Sequence, residues 1–136
     1  MEPVLASIDA ISRKCESVLE KMADSPSEDH YPILEELIDI NQHHLDVIGV
    51  GHSSLDKVVR VTASHGLHTK LTGAGGGGCA ITLLRPDTAP AVVEAAIRDL
   101  AGCGFECWET DVGALGICAH SPSSLKAEVA KVFNEV

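Results

Sequence analysis

The chain has 136 residues, 45% of them hydrophobic and 3% aromatic, and a formal net charge of −10. That is the size of one domain with an aliphatic core, and the chain is too apolar to stay disordered. The negative charge argues against non-specific binding to nucleic acid or to an anionic membrane, and no apolar run approaches the ~20 residues that span a bilayer. The opening Met1, Glu2 and Pro3 lack the basic start of a signal peptide. Five cysteines in no framework spacing suit free thiols in a reducing compartment, so a cytosolic location is expected. A peroxisome is the other candidate, although the terminal "NEV" is no peroxisomal address.

Val4, Ile8, Ile11, Cys15, Val18 and Met22 recur at spacings of three and four, with Leu5 and Leu19 beside them, and predict a first helix. "ADSPSED" breaks it, and Ser27 ahead of Asp29 and His30 can cap the next helix. Leu34, Leu37, Ile38, Leu45 and Ile48 carry that second helix to a stop at "GVG", Gly49 to Gly51. Ser53 and Ser54 are expected to cap a third helix through Leu55, Val58, Val59 and Val61, which ends at Gly66. "LHTKL" and "CAITLL" then read as short strands on either side of a glycine run. Beyond "RPDTAP", with Thr88 as the expected cap, Val92, Val93, Ala96, Ile97 and Leu100 predict a fourth helix stopped by "GCG". "FECWET" and "ALGICAH" are expected as strands about a turn at Asp111 to Gly113, with Phe105 and Trp108 packed under a helix. A last helix carries Leu125, Val129, Val132 and Phe133. Strands returning through tight turns imply an antiparallel sheet with helices on one face, an α+β class. With no repeat or linker, residues 1–136 are expected to form a single domain.

The glycine run is the costly feature. "KLTGAGGGGCAITLL" places five glycines within the six residues 73–78, and ordering glycine costs more backbone entropy than ordering any other residue. Gly73, Gly75 and Gly78 satisfy G-x-G-x-x-G, yet a strand rather than a helix follows, so the dinucleotide reading fails. The ATPase P-loop reading fails too, because no Lys-Ser or Lys-Thr follows the last glycine. Two readings remain: a plain hairpin connection, or a place where a ligand or another backbone approaches too closely for any Cβ. In the second, successive amides make an anion-binding concavity. The neighbourhood suits an anion, since residues 1–39 carry ten acids against three bases while residues 40–85 carry two against four.

The same stretch resembles the third signature motif of the GHMP small-molecule kinases. "SIDAIS", "LEELIDINQHHLDVIGVGHSSLD" and "CGFECWET" extend the likeness over nearly the whole chain, and they are most similar to the mevalonate-phosphorylating branch of that family. The resemblance implies a ferredoxin-like C-terminal domain of an enzyme that moves the ATP γ-phosphate to the 5-hydroxyl of mevalonate with Mg²⁺, in isoprenoid and sterol synthesis. It implies that Gly73, Ala74, Gly75, Gly76, Gly77 and Gly78 lie beside the ATP phosphates, against a phosphate loop of an N-terminal domain. It also implies homodimers of the full-length protein. The family's Pro-x-x-x-Gly-Leu-Gly-Ser-Ser cradle, its catalytic aspartate with partnering lysine and its mevalonate-contacting segment have no counterpart here. The N-terminal catalytic domain is therefore expected to be absent, with no catalytic residue, no metal ligand and no tightly bound cofactor in this chain, and no turnover by it alone.

His43, His44, His52, His65 and His68 lack the spacing of a metal site; capping and solvated roles are expected, with His44 the best placed to face the cleft. Cys103 and Cys107 match neither a redox nor a zinc pattern, whereas Cys15, Cys79 and Cys118 sit in apolar patterns that suit buried thiols. Asp9, Asp39 and Asp46 lie in helical stretches and are expected to have structural roles. A stand-alone ferredoxin-like ligand-binding or regulatory module is the competing reading.

Overall fold

The computed structural model describes residues 1–111 and Ser121. Helix α1 (Glu2–Asp24) opens with Pro3 in its first turn, where the missing N–H costs nothing. Its buried stripe is centred on Ile11 and Val18, while Leu5 and Leu19, on the flank of that stripe, are half exposed. Ser27 caps a 3₁₀ turn at Glu28–His30 by accepting from the Asp29 amide, as the sequence suggests. The turn runs directly into α2 (Tyr31–Val47). Gly49, at φ +81°, carries the chain out of α2.

Helix α3 (Ser53–Ser64) has a different cap from the expected serines. His52 adopts the extended N-cap backbone, and its Nδ1 accepts from the Ser54 amide at 3.2 Å. An imidazole nitrogen does the work of the usual hydroxyl. The chain leaves α3 at Gly66 (φ +72°) and enters the hairpin of β1 (His68–Leu71) and β2 (Ala80–Leu83). These pair antiparallel in the register His68–Leu83 to Leu71–Ala80. Helix α4 (Pro90–Gly102) starts without a side-chain cap. Thr88, expected in that role, instead accepts the Arg85 amide at 3.0 Å, closing the turn after β2.

Helix α3 packs on one face of the hairpin through an ordered chain of buried hydroxyls. Thr82 and Thr69 bond across the strands at 2.8 Å, Thr69 donates to Thr62 at 2.7 Å, and Thr62 donates to the carbonyls of Val58 and Val59. Each buried hydroxyl is thereby satisfied, which removes the penalty of hiding it from water. Leu55, Leu67, Leu71, Ala96 and Leu100 complete the apolar core around this seam. Helix α2 runs along the side of β1 away from β2, where Gln42 receives the Leu71 amide. These described elements are an α+β arrangement of four helices and a two-stranded antiparallel sheet.

Residues 105–110, expected as a strand, form neither helix nor strand, and Trp108 is 71% exposed rather than packed under a helix. A strand exists only through its ladder, and the expected partner at 114–120 lies outside the described residues, as does the last predicted helix. Among the described residues, no helix is long and apolar enough to cross a membrane.

One ion pair, between the buried Glu35 and a partly exposed Arg85, ties α2 to the far end of the hairpin. The Arg85 guanidinium grips Glu35 with both arms, one at 2.6 Å, and His68 adds a contact to the same carboxylate at 3.8 Å. Arg85 holds the Glu35 carboxyl below the ordinary range although burial opposes it, and the charge of His68 contributes in the same direction. A carboxyl lowered on folding stabilises the fold fully above its ordinary pKa of 4.5, and that contribution vanishes as pH falls through the lowered value. Glu35→Gln should therefore cost about 1.5–3 kcal/mol at neutral pH. The deficit should shrink as pH falls below 4.5 and through the lowered value, where the wild-type carboxylate takes up its own proton. Urea unfolding of both proteins at neutral pH and along an acid series measures this.

Candidate functional site: the glycine loop

The glycine loop spans 73–78 between the strands, and a hydrogen bond from the Thr72 amide to the Cys79 carbonyl at 3.0 Å closes its neck. All five of its glycines have positive φ, from +72° at Gly76 to +123° at Gly77. Side chains rarely tolerate that region, which explains why serine or asparagine would not serve along the whole loop. Ala74, the exception in sequence, is also the exception in backbone. The loop thus needs its glycines for conformation.

It needs one of them for space as well. A Cβ on Gly75 would lie 2.2 Å from the Val50 carbonyl oxygen and 2.8 Å from the Val50 Cβ. The next residue, Gly76, donates its amide to that same carbonyl at 2.9 Å. The close approach anticipated from sequence is therefore made, in this chain, by the turn that joins α2 to α3. Val50 was invisible in the sequence, because "GVG" reads only as a helix stop. The amides of Gly73, Ala74, Gly75, Gly77 and Gly78 have no acceptor among the described residues, and they leave a set of donors for an acceptor from outside.

The nearest cation on the hairpin does not supplement these amides. The Lys70 ammonium turns back on its own strand and donates to the Leu71 carbonyl at 2.7 Å. Burial pushes its pKa down, with the Cys15 thiol opposing.

A cleft of about 200 Å³ is lined by α2, α3 and Thr69 of β1, and Asp39, Asp46 and Asp56 outnumber Arg60 there. Three carboxylates repel a polyanion, so this cleft is no phosphate site. Asp39 is committed to His68 at 2.8 Å, Asp46 to Gln42 at 3.1 Å, and Asp9 to Arg13 at 3.0 Å on α1. Each of the three aspartates set aside in the sequence has a partner within the fold.

The histidines are dispersed. The His44 Nε2 meets the Ser7 hydroxyl at 2.8 Å and pins α1 to α2. His43 contacts the Asp39 carbonyl, His52 caps α3, and His65 pairs with Asp99 at 2.9 Å. Among the described residues, no three His, Cys, Asp or Glu side chains are grouped to hold a metal ion. Cys79, expected to be buried, is exposed at the loop's exit.

The family model for the C-terminal domain of GHMP kinases ("GHMP kinases C terminal") matches residues 9–101. The chain belongs to the GHMP kinase C-terminal family. The matched segment holds α2, α3, the hairpin with its glycine loop and most of α1 and α4. Mevalonate kinase from Bos taurus is 63% identical over 127 residues, which covers 93% of this chain and 32% of the relative. Mevalonate kinase from Mus musculus is 59% identical over 123 residues, 90% of this chain and 31% of the relative. The enzyme of that name from Homo sapiens is 54% identical over 132 residues, 97% of this chain and 33% of the relative. This GHMP domain thus spans about a third of the length of the curated relatives it matches.

Two alanine substitutions separate the steric from the conformational demand. Gly73→Ala meets open space and only a positive φ, so it should cost about 1–2 kcal/mol. Gly75→Ala meets the same backbone demand and also the Val50 carbonyl. It should cost more than Gly73→Ala and remove the protection of the Gly76 amide. Chemical denaturation and amide exchange on the two variants test the ranking.

Proposed function

We propose that this chain is the C-terminal domain of a mevalonate kinase, whose glycine loop, Gly73 to Gly78, lies beside the phosphates of ATP held by an N-terminal domain. The observation that carries the reading is the loop itself: consecutive positive-φ residues with unclaimed amides, in a chain that is 54–63% identical to three mevalonate kinases. Amide donors in a concave run suit anionic oxygen and offer nothing to a cation. The loop therefore fits a triphosphate, and Mg²⁺ would be held by groups from elsewhere in the enzyme.

In this reading ATP and mevalonate are the substrates, and the product is 5-phosphomevalonate, in the cytosol. The domain's contribution to phosphoryl transfer is positioning and charge stabilisation. The free amides of Gly73, Ala74, Gly75, Gly77 and Gly78 would point at phosphate oxygens, and the absence of Cβ atoms lets the backbone reach contact distance. The Val50 contact keeps the loop's crown from following the ligand. No general base is assigned among residues 1–111, since Asp9, Asp39 and Asp46 are engaged in ion pairs or hydrogen bonds. The chain alone should not turn over substrate; activity needs the N-terminal domain, and the full-length enzyme would pair as a homodimer.

The test supplies that missing part. This chain replaces the corresponding third of the Bos taurus mevalonate kinase, and the chimera is assayed with ATP, Mg²⁺ and mevalonate beside the chain alone. We expect turnover by the chimera and none by the chain. Gly75→Ala in the chimera should lower kcat by about 100-fold, the scale of an ångström-level misplacement at a reacting centre. A folded chimera without activity, or a Gly75→Ala variant with unchanged kcat, would overturn the reading.

A further inference from the structure

We propose that Gln42 is the positioning residue of the glycine loop, gripping the loop's stem directly and its crown through Asp46 and the Val50 turn. Its functional meaning rests on the phosphate-site reading above; the mechanical linkage does not.

Gln42 is a polar side chain only 3% exposed, on a helix that is otherwise placed for packing. Its Oε1 accepts the amide of Leu71, the last residue of β1, at 2.8 Å. Leu71 is itself 1% exposed, and the loop's closing bond is made by the next residue, Thr72. One end of the loop is therefore anchored to α2 by a side chain that takes the place of a neighbouring strand.

The other arm of the amide reaches the loop by a second route. Gln42 Nε2 donates to Asp46 Oδ1 at 3.1 Å. That same oxygen lies 2.7 Å from where a Cβ on Gly51 would stand, so the carboxylate is seated against the turn. The adjoining residue, Val50, supplies the carbonyl that holds Gly76 and crowds Gly75. Leu71, Gln42, Asp46, Val50 and Gly76 form a closed circuit around the loop.

The chemistry of the circuit fixes its direction. An ionised carboxylate only accepts hydrogen bonds. Asp46 therefore requires the amide nitrogen of Gln42 to face it, which leaves the amide oxygen for the Leu71 N–H. A single buried amide thus meets opposite demands at its two ends, and its length sets the separation between stem and turn.

Amide hydrogen exchange on the 136-residue chain reads the linkage with no nucleotide present, using protection factors to remove the intrinsic pH dependence and the core of α4 as an internal reference. Gln42→Met keeps the length and removes both hydrogen bonds. Protection at Leu71 and at Gly76 should fall by about tenfold or more relative to α4, since local openings carry their own free energies. Asp46→Ala cuts only the second route, so Gly76 should lose protection while Leu71 keeps it. This variant also serves if Gln42→Met does not fold. Gln42→Glu adds a signature that simple packing would not produce. At pH ~7.5 two facing carboxylates repel and Gly76 is exposed; near pH ~5 they share a proton, which restores the donor to Asp46 and recovers protection.

Unchanged Gly76 protection in both Gln42→Met and Asp46→Ala would overturn the inference. So would a pH-independent loss in Gln42→Glu. Adding ATP to the wild-type chimera tests the phosphate reading separately. If ATP leaves the loop amides unaffected while the variants behave as stated, the phosphate reading fails and Gln42 stands as the holder of the loop.

Discussion

The Val50 carbonyl oxygen stands where a side chain on Gly75 would begin, and it takes the amide of Gly76. That contact joins two parts of the molecule with little else in common: the turn between α2 and α3, and a hairpin loop made almost entirely of glycine. A glycine loop left to itself is a disordered tether, because each residue visits both halves of backbone space. Here its crown is seated on a fixed carbonyl and its neck is closed by the Thr72–Cys79 bond. The remaining residues are confined between two restraints. Enough order results to present several amides together, and the chain still comes close enough for a ligand to meet backbone rather than side chains.

The rest of the fold holds that turn and that hairpin in register. The hydroxyl chain from Thr82 through Thr69 to Thr62 fixes the hairpin's face on α3. The Glu35–Arg85 pair fixes its far end on α2. Such a pair adds little net stability when taking its carboxylate out of water consumes much of the attraction. Its value lies in geometry: without Arg85 the buried Glu35 carboxylate is stranded, so one arrangement is favoured over near alternatives. Hydroxyl chain and ion pair together prevent β1 from sliding along α2, and a slide would lift the glycine loop off Val50.

Much of this was legible in the sequence, for a physical reason. Four helices followed from apolar positions three and four apart. The hairpin followed from two short β-rich runs around glycine, and the helix stops from Gly49, Gly66 and Gly104, all of which take positive φ. Side-chain hydrogen bonds were less legible. "HSSL" offers three capping candidates, and only the backbone decides that His52 rather than Ser53 occupies the cap. Thr88 carries the right hydroxyl, but the Arg85 amide claims it. "FECWET" has strand composition without a strand, since composition cannot supply a ladder partner. The roles of Val50 and Gln42 were hidden altogether, and Asp46 was legible only as a structural residue without a partner, because these contacts arise between segments distant in sequence. The family motif located the loop, while the reason for its shape lay more than twenty residues upstream.

That distance has a consequence for how the domain assembles. A hairpin normally owes its connection to its own turn residues and can close early, within microseconds. This one cannot finish its loop locally, because the surface that shapes it is the outgoing end of another helix. The Gly76–Val50 bond encloses the whole of α3 and β1, and such a non-local closure is entropically deferred until the enclosed chain is compact. The α2–α3 turn acts as a mould into which the glycine loop is cast last. The part of the chain with the most conformational freedom is thus also the part that records whether everything around it has folded correctly.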